Sequence, residues 1–266
     1  MSEIQQFLDF AISLAHEAGA YSLQAQRGSL KIESKTNAFD LVTHVDKHNE
    51  DFIREEVAKK FPTHTILGEE GGGNKQSAIG VKWIVDPIDG TLNFAHGLPI
   101  WCISIGIEVD GIIQCGVIFD PSRNELFTAI RGEGAYLNGE KISVSKTNDP
   151  ARSMYVTGFP YNIGEDPYGD IKRFNRFLNK GLIIRRLGSA ALDLAYVACG
   201  RFDAFYESGL APWDSAAGAL LVREAGGTTT HYDGTDFSVY KLSIIASNSI
   251  QHGFLEELVR DEFFKM

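Results

Sequence analysis

The stretch that decides the fold reads Trp83-Ile84-Val85-Asp86-Pro87-Ile88-Asp89-Gly90-Thr91-Leu92-Asn93-Phe94. Its apolar start predicts a short strand over residues 82–85, which leads directly into a carboxylate, a proline, a second carboxylate and a glycine. Functional groups often gather at the ends of strands in α/β proteins. Because Asp86 and Asp89 are separated by a turn that Pro87 restricts, we expect both carboxylates to face one point.

Two carboxylates that close repel each other unless a cation neutralises them. Hard oxygen ligands of this kind favour Mg²⁺ over a softer metal. Gly90 would let backbone N–H groups come close to a phosphate, and a short helix that begins at Thr91 would add its partial positive charge. The alternative for the bare Asp-x-x-Asp-Gly pattern is a solvated turn, since Asp and Gly favour turns in any case.

Three further acidic positions lie outside this stretch, and each has an ordinary structural explanation. Glu69 belongs to Gly68-Glu69-Glu70, which precedes three glycines and could be an acidic turn. Asp46 could be a helix-start acid that the helix dipole favours, and Asp214 could cap the helix that follows it. Taken one at a time, these structural explanations are stronger than a role in catalysis.

The composition is that of a globular protein with an acidic surface. The chain has 266 residues, of which 44% are hydrophobic and 23% charged, and its formal net charge is -10. This balance argues against a nucleic-acid groove and against a polybasic membrane surface. The three cysteines show no metal-binding spacing and fit a reducing compartment. With neither a signal-peptide pattern nor an apolar run of roughly 20 residues, we predict a cytoplasmic protein.

Apolar spacing and turn residues predict helices and antiparallel strands in the first half and alternating strands and helices in the second. We expect helices over residues 4–18 and from Val45 to before Pro62, and hairpin turns at Asp110-Gly111 and Asn138-Gly139. In the second half, strands are predicted at residues 182–185, 203–206 and 242–246, and helices at 189–200, 215–225 and near 254–259.

Together, and in this order, the acidic positions resemble the inositol monophosphatase family, within the superfamily of lithium-sensitive, Mg²⁺-dependent phosphatases. The resemblance rests on DPIDGTLNF at residues 86–94 and WDSAAGALLVREAGG at residues 213–227, and its motifs span residues 40–227. It implies a layered α-β-α-β-α sandwich of mixed α/β (α+β) class and a homodimer. We expect an N-terminal α+β domain over residues 1–145, with the antiparallel sheet and most metal ligands, and a C-terminal α/β domain over residues 146–266.

The resemblance also implies a set of metal ligands. Glu69, Asp86 and the Ile88 carbonyl would hold one Mg²⁺, and Asp86, Asp89 and Asp214 would hold a second. A third, weaker ion could lie near Glu69. Five carboxylates would otherwise repel a phosphate dianion, and two or three divalent cations reverse that field.

The implied chemistry is an in-line attack on phosphorus by a metal-activated water. Gly90 and Thr91 would offer backbone N–H groups to the phosphate. Thr91 and Asp46 would orient and deprotonate the water, with Glu69 as a further catalytic group. The residues implied to contact the substrate are Asp89, Ser189, Ala190, Glu207 and Asp214. Ala211 departs from the family, since animal members carry a histidine there, and this departure weakens a strict preference for inositol.

The predicted activity is the hydrolysis of inositol monophosphate and other small phosphate monoesters. The alternatives at the same site are the 2′-phosphate of NADP(H), fructose 1,6-bisphosphate and 3′-phosphoadenosine nucleotides. A non-catalytic phosphate-binding regulator is an alternative of another class. Such a protein would be expected to lose Thr91 or a metal carboxylate, and this chain retains them all.

Overall fold

The computed structural model of the protein describes residues 2–35, 40–73 and 79–260. In these ranges the α-helices are Glu3–Gln26 (α1), His44–Lys60 (α2), Thr91–Ala95 (α3), Asp170–Asn179 (α4), Ala190–Ala198 (α5), Pro212–Glu224 (α6) and His252–Val259 (α7). The strands are Ile32–Ser34 (β1), Leu41–Thr43 (β2), Thr65–Gly68 (β3), Val81–Asp89 (β4), Cys102–Val109 (β5), Ile112–Asp120 (β6), Glu125–Ile130 (β7), Gly134–Leu137 (β8), Glu140–Lys141 (β9), Met154–Thr157 (β10), Ile183–Arg185 (β11), Ala204–Ser208 (β12), Thr228–Thr230 (β13) and Ser243–Ser247 (β14).

The strands form two large sheets and a small hairpin. The first sheet has seven strands in the order β3-β4-β5-β6-β7-β8-β9, and its pairs are antiparallel except for the parallel pair β3–β4. The second has five strands in the order β11-β10-β12-β14-β13, with β10 parallel to both of its neighbours. Strands β1 and β2 pair with each other.

Helices cover both sheets and fill the space between them. Helices α1 and α2 pack on the outer face of the seven-stranded sheet, and α4 and α7 pack on the outer face of the five-stranded sheet. Helices α5 and α6 lie between the sheets in one apolar cluster that extends from Ile118 and Phe127 to Val156 and Ile244. The layers therefore alternate as α-β-α-β-α, which confirms the predicted sandwich.

The N-terminal helix follows the predicted apolar pattern. Helix α1 buries Phe7, Ala11, Leu14 and Ala18 on one face at the helical spacing, and its other faces are partly exposed. This one-sided pattern is typical of a helix that packs on a sheet. Among the described residues, no helix is both long enough and apolar enough to cross a lipid bilayer.

The predicted hairpins are also present. Asp110 and Gly111 have φ values of 49° and 81° between β5 and β6, and Asn138 and Gly139 have φ values of 50° and 83° between β8 and β9. Two consecutive left-handed residues form the turn whose twist matches that of paired strands. The dipeptides therefore fix the register of two of the antiparallel pairs.

Strand β4 differs from its prediction, because it continues through both carboxylates. Asp86 pairs with Ser104 and Asp89 with Cys102, so β4 has one residue more than β5 between these pairs and forms a bulge. Pro87 lies in the bulge, where the missing N–H costs no ladder hydrogen bond. The expected turn after residue 85 is thus an irregular piece of strand.

The small residues of α6 allow this helix to lie close to the seven-stranded sheet. Gly106 and Gly116 are paired across β5 and β6. A Cβ on Gly106 would lie 2.7 Å from the Cβ of Ala216, and one on Gly116 would lie 2.9 Å from the Cα of Ala217. The first residues of α6 are thereby brought near the bulged end of β4.

Three elements of the second half lie outside the predicted pattern. Strands β10 and β13 are too short to show a sequence period. Helix α4 has an apolar face at the helical spacing, but it follows a segment rich in Gly, Pro and Asp and was not predicted. Helix α6 begins at Pro212 and not at Ser215, as expected of a proline that favours the first turn. The division at residue 145 stays a prediction, since α5 and α6 pack on both sheets.

Replacing Gly106 with alanine tests the close approach of α6. We expect Gly106→Ala to lower the free energy of unfolding by about 1–3 kcal/mol, because the added methyl group has no space against Ala216. Urea denaturation measures the change. Gly253→Ala in α7 is the matched control, since a Cβ there meets no atom within 4 Å and the stability should stay level or rise. Equal effects of the two variants would contradict the proposed packing.

Candidate active site

A cavity of about 770 Å³ lies at the bulged end of β4 and receives residues from both halves of the chain. Acidic and backbone groups of the lining come from Glu69 just after β3, from the end of β4 and from the start of α3. The rest of the lining comes from residues 158–162, from the loop before α5, and from residues 207–214. The cavity is therefore bounded by both sheets and by the first turns of three helices.

Three carboxylates from distant parts of the chain meet in this cavity. One carboxylate oxygen of each of Asp86, Asp89 and Asp214 lies within 4.8 Å of the others. Burial, followed by the charges of neighbouring carboxylates, raises the pKa of Asp86 and of Asp214 well above the usual value. A cluster of like charges in a buried place is the donor set that a hard divalent cation requires, so these residues fit a metal site.

Asp89 is held from the opposite side by the start of α5. Its Oδ2 accepts hydrogen bonds from the Ser189 hydroxyl at 2.5 Å and from the Ala191 N–H at 2.8 Å. Ser189 occupies the N-cap position of α5, but its hydroxyl makes no cap hydrogen bond and donates to Asp89. The helix N-terminus thus holds a carboxylate that comes from the other sheet.

Asp214 has both of the roles that its sequence context allows. It lies in the first turn of α6, and its Oδ2 accepts the N–H of Ala211 at 2.7 Å, as a helix-capping acid does. The hydroxyl of Ser104 in β5 donates to the carbonyl of Trp213 at 3.3 Å. This bond ties the first turn of α6 to the strand beside β4, which keeps a carboxylate oxygen of Asp214 near Asp86 and Asp89.

Glu69 lines the cavity and is paired with a lysine. The Nζ of Lys35 lies 2.8 Å from Glu69 Oε1 and also contacts Glu70. Burial raises the pKa of Glu69 to about 7, and the Lys35 ammonium opposes that rise.

The turn after Glu69 is held by Glu50, whose carboxylate accepts the N–H groups of Glu70 and Gly71, each at 2.7 Å. The sequence analysis missed Glu50, although its spacing of four residues from a basic side chain was a possible signal.

Thr91 and Asp46 are hydrogen-bonded, as the resemblance implies for the pair. The Thr91 hydroxyl donates to Asp46 Oδ1 at 2.9 Å and contacts the Ile88 carbonyl at 3.0 Å. Asp46 is fully buried and is not in the cavity wall, so Thr91 connects it to the cavity. Asp46 Oδ2 accepts the backbone N–H of Thr43 at 2.9 Å in a capping box of α2. The helix-start explanation for Asp46 is therefore also correct.

Gly90 has a conformation and surroundings that exclude a side chain. Its φ is 96°, and a Cβ would lie 2.9 Å from the Ile100 carbonyl oxygen and 3.2 Å from that of Gly188. The side-chain amide of Asn93 donates to the carbonyls of Ile100 and Leu187 at 2.8 and 2.9 Å. Asn93 therefore fastens the loop before α5 to the start of α3, which keeps the two walls at a fixed separation.

The lining outside the carboxylate cluster contains charges of both signs and an aromatic ring. Glu207 in β12 packs against Gly158, where a Cβ would lie 2.2 Å from its Oε2. Burial, and then the charge of Asp214, raises the pKa of Glu207 well above its usual value. Tyr161 and Arg186 also line the cavity, so a guanidinium group is available to a bound ligand.

The structure thus brings most of the predicted site residues to one cavity. Those in its lining are Glu69, Asp86, Ile88, Asp89, Gly90, Thr91, Ser189, Ala190, Glu207 and Asp214, with Asp46 behind Thr91. The sequence analysis did not predict Asp193 or Tyr161 in the lining. Neither belongs to a motif with a recognisable spacing, so only the folded chain reveals them.

Several solved structures resemble the chain over nearly its whole length. An inositol monophosphatase from Anabaena (Nostoc) sp. PCC 7120 is 39% identical, with a TM-score of 0.87, covering 97% of this chain and 96% of that one. SaIMPase-II with inositol monophosphate bound is 32% identical, with a TM-score of 0.80 and coverage of 95% and 92%. An IMPase/NADP phosphatase complexed with Mg²⁺ and phosphate is 26% identical, with a TM-score of 0.85 and coverage of 97% and 96%.

Sequence comparison gives the same relationship. The Nus factor SuhB of Escherichia coli (strain K12) is 41% identical over 242 residues, which is 91% of this chain and 91% of that protein. The profile of the inositol monophosphatase family matches residues 3–262. The chain belongs to the inositol monophosphatase family.

Proposed function

We propose that the protein is a Mg²⁺-dependent phosphomonoesterase that hydrolyses inositol monophosphate and other small phosphate monoesters. The observation that carries this proposal is the convergence of Asp86, Asp89 and Asp214 at one end of an open cavity. Such a cluster is costly without a cation, and a phosphate cannot approach it without one. A site that needs a divalent cation and admits a small anion suits phosphate-ester hydrolysis.

The residues present suggest how the cation would be held. Asp86, Asp89 and Asp214 would hold one Mg²⁺, and Glu69, Asp86 and the Ile88 carbonyl would hold another, with Glu69 beside any third. When bound, Mg²⁺ polarises the phosphoryl oxygens and lowers the pKa of coordinated water. This assignment agrees with the Mg²⁺ and phosphate present in the related IMPase/NADP phosphatase structure.

Thr91 and Asp46 would accept the proton of the attacking water. The Thr91 hydroxyl already donates to Asp46 Oδ1, so it can take a proton from water while passing its own to that oxygen. Burial raises the pKa of Asp46, which makes protonation of the carboxylate easier, while the hydrogen bonds from Thr43 and Thr91 limit the rise. The pair would thus act as the general base.

The phosphate would lie against the backbone at the bulged end of β4. Gly90 leaves space there because a side chain is excluded, and the N–H groups of Gly90 and Thr91 are the expected donors. The leaving group would then face Ser189, Ala190 and Glu207 on the opposite wall.

The substrate assignment to inositol monophosphate is supported by the ligand of SaIMPase-II. NADP(H) is the main alternative, because one relative is named for both activities. The SuhB relatives are named as Nus factors, which keeps a non-catalytic phosphate-binding regulator as an outcome of the tests.

We further propose that the protein is a homodimer and is located in the cytoplasm. The unpaired state of Cys102, Cys115 and Cys199 supports a reducing compartment.

Thermal unfolding with and without Mg²⁺ tests the metal site. We expect Mg²⁺ at about one hundred times its Kd to raise the Tm by roughly 5–10 °C, because the cation binds only the folded cluster. Asp214→Asn should unfold at a higher temperature than the wild type without metal, since one like charge is gone, and should lose most of the Mg²⁺ effect. Asp51→Asn, an exposed position on α2, is the control and should keep the full shift. A wild type that Mg²⁺ does not stabilise would exclude the assigned site.

Phosphate release from a panel of esters tests the activity. The panel contains inositol 1-phosphate, fructose 1,6-bisphosphate, NADP and 3′-phosphoadenosine 5′-phosphate, each with Mg²⁺ and with a chelator. We expect the highest kcat/KM with inositol 1-phosphate and no release without metal. Asp89→Asn should lower kcat at least about 100-fold, because it removes a metal charge while its amide oxygen can still accept the bonds from Ser189 and Ala191.

Circular dichroism of Asp89→Asn controls for the fold. A variant with near-normal turnover would contradict the two-metal assignment. Preference for NADP would move the proposal to the alternative substrate, and binding without release of phosphate would favour the regulator.

Lithium sensitivity tests the family's characteristic inhibition in this chain. We expect millimolar Li⁺ to lower the rate of phosphate release, because a small hard cation competes for the same carboxylate oxygens. Potassium chloride at the same ionic strength is the control and should change the rate little. A rate that responds equally to both salts would indicate simple screening.

A further inference from the structure

We infer that Asp193 is a specificity residue, which acts beside Glu207 to accept hydrogen bonds from the hydroxyl groups of a polyol leaving group. The inference rests on the proposed phosphatase function and narrows its substrate class. It favours phosphates of cyclitols and sugars over phosphates whose leaving group carries no neighbouring hydroxyls. Asp193 is outside the motifs on which the family resemblance depends.

The first observation is an unpaired carboxylate oxygen. Asp193 is 1% exposed and lines the cavity, and its Oδ1 is buried with no hydrogen-bond partner in the described part of the chain. Buried polar atoms are nearly always paired in native proteins, and an unpaired one lowers stability. Because Asp193 lines the cavity, a ligand bound there can supply the hydrogen bond that Asp193 Oδ1 lacks.

The helix that carries Asp193 does not supply the missing partner. Asp193 lies in the first turn of α5, where a carboxylate could be favoured by the helix dipole. However, the Ala191 N–H already donates to Asp89, and the Asp193 N–H donates to the Ser189 carbonyl. The N-terminal end of α5 therefore binds Asp89, and this helix supplies no donor to Asp193 Oδ1.

The neighbouring groups match a ring that bears adjacent hydroxyls. Glu207 also lines the cavity. After burial, the charges of Glu207 and Asp89 raise the pKa of Asp193, and the Arg186 guanidinium lowers it, so these groups lie close to Asp193. A hydroxyl can donate to a carboxylate and accept from a guanidinium at the same time. Two acceptors and one multidentate donor on one wall can thus bind a diol. A leaving group without hydroxyls would leave the buried Asp193 Oδ1 unpaired, and such sites discriminate strongly against that group.

The test compares two ligands that share the phosphate and differ in the leaving group. In Asp193→Leu, which keeps the size and suits a helix, we expect the KM for inositol 1-phosphate to rise about 10- to 100-fold. The inhibition constant of inorganic phosphate should stay level, because phosphate reaches the metal site without using the hydroxyl wall. Asp193→Asn keeps a neutral acceptor and should raise the KM only a few-fold.

The Tm separates this role from a structural one. We expect Asp193→Leu to unfold at a higher temperature than the wild type, because a buried unpaired polar group is replaced by an apolar one. Asp120→Leu is the matched control. Asp120 is also buried, but it accepts bonds from Ser122 and Arg123, so its loss should lower the Tm. The inference would be overturned if Asp193→Leu had a lower Tm and if the KM for inositol 1-phosphate and the inhibition constant of phosphate rose together.

An unchanged KM in Asp193→Leu would also overturn it. If that variant fails to fold, Asp193→Asn decides: a raised KM with level phosphate inhibition supports the role, and an unchanged KM refutes it. The proposed function is judged separately, by Mg²⁺-dependent phosphate release in the wild type. Should the wild type release none, calorimetric Kd values of the same two ligands replace the kinetic constants, so Asp193 is still tested.

Discussion

The repulsion among buried carboxylates is the constraint on which the site depends. Asp86, Asp89 and Asp214 have oxygens within 4.8 Å of one another, in a place where burial and mutual charge oppose ionisation. The fold must hold them against this repulsion, and a divalent cation would remove it. The surrounding structure keeps these side chains in place through a strand bulge, hydrogen bonds and helix packing.

The elements that hold the three carboxylates are distant from one another in the sequence. Asp86 and Asp89 are three residues apart in the sequence. The bulge between them in β4 brings both to the same end of the first sheet. The start of α5 holds Asp89 through Ser189 and Ala191, and α6 brings Asp214 by packing on strand glycines. One side of the cavity is thereby suited to cations and phosphate. The other side, with Arg186, Asp193 and Glu207, is suited to the rest of the substrate. The two sides can vary separately, so a common phosphatase site can serve different leaving groups.

Sequence reasoning was most successful where a residue's chemistry acts locally. The Asp-Gly and Asn-Gly turns fix their own backbone conformation, and the apolar face of α1 depends only on the helical period. The signature at residues 86–94 suggested carboxylates, a phosphate turn and a helix start, and those groups do line the cavity. The pairing of Lys35 with Glu69 had no local signal in the sequence, because the two residues are 34 positions apart.

The sequence by itself determined which groups were available: the paired carboxylates of the signature, the acid at the start of α6, and the small residues beside it. Only the tertiary structure decided which of these meet, because like charges converge only when packing elsewhere compensates for their repulsion. It also decided that Ser189 donates to Asp89 and does not cap α5, and that Asp193 keeps a buried oxygen unpaired. Neither feature is visible in the local sequence, since each depends on which groups the folded chain brings together.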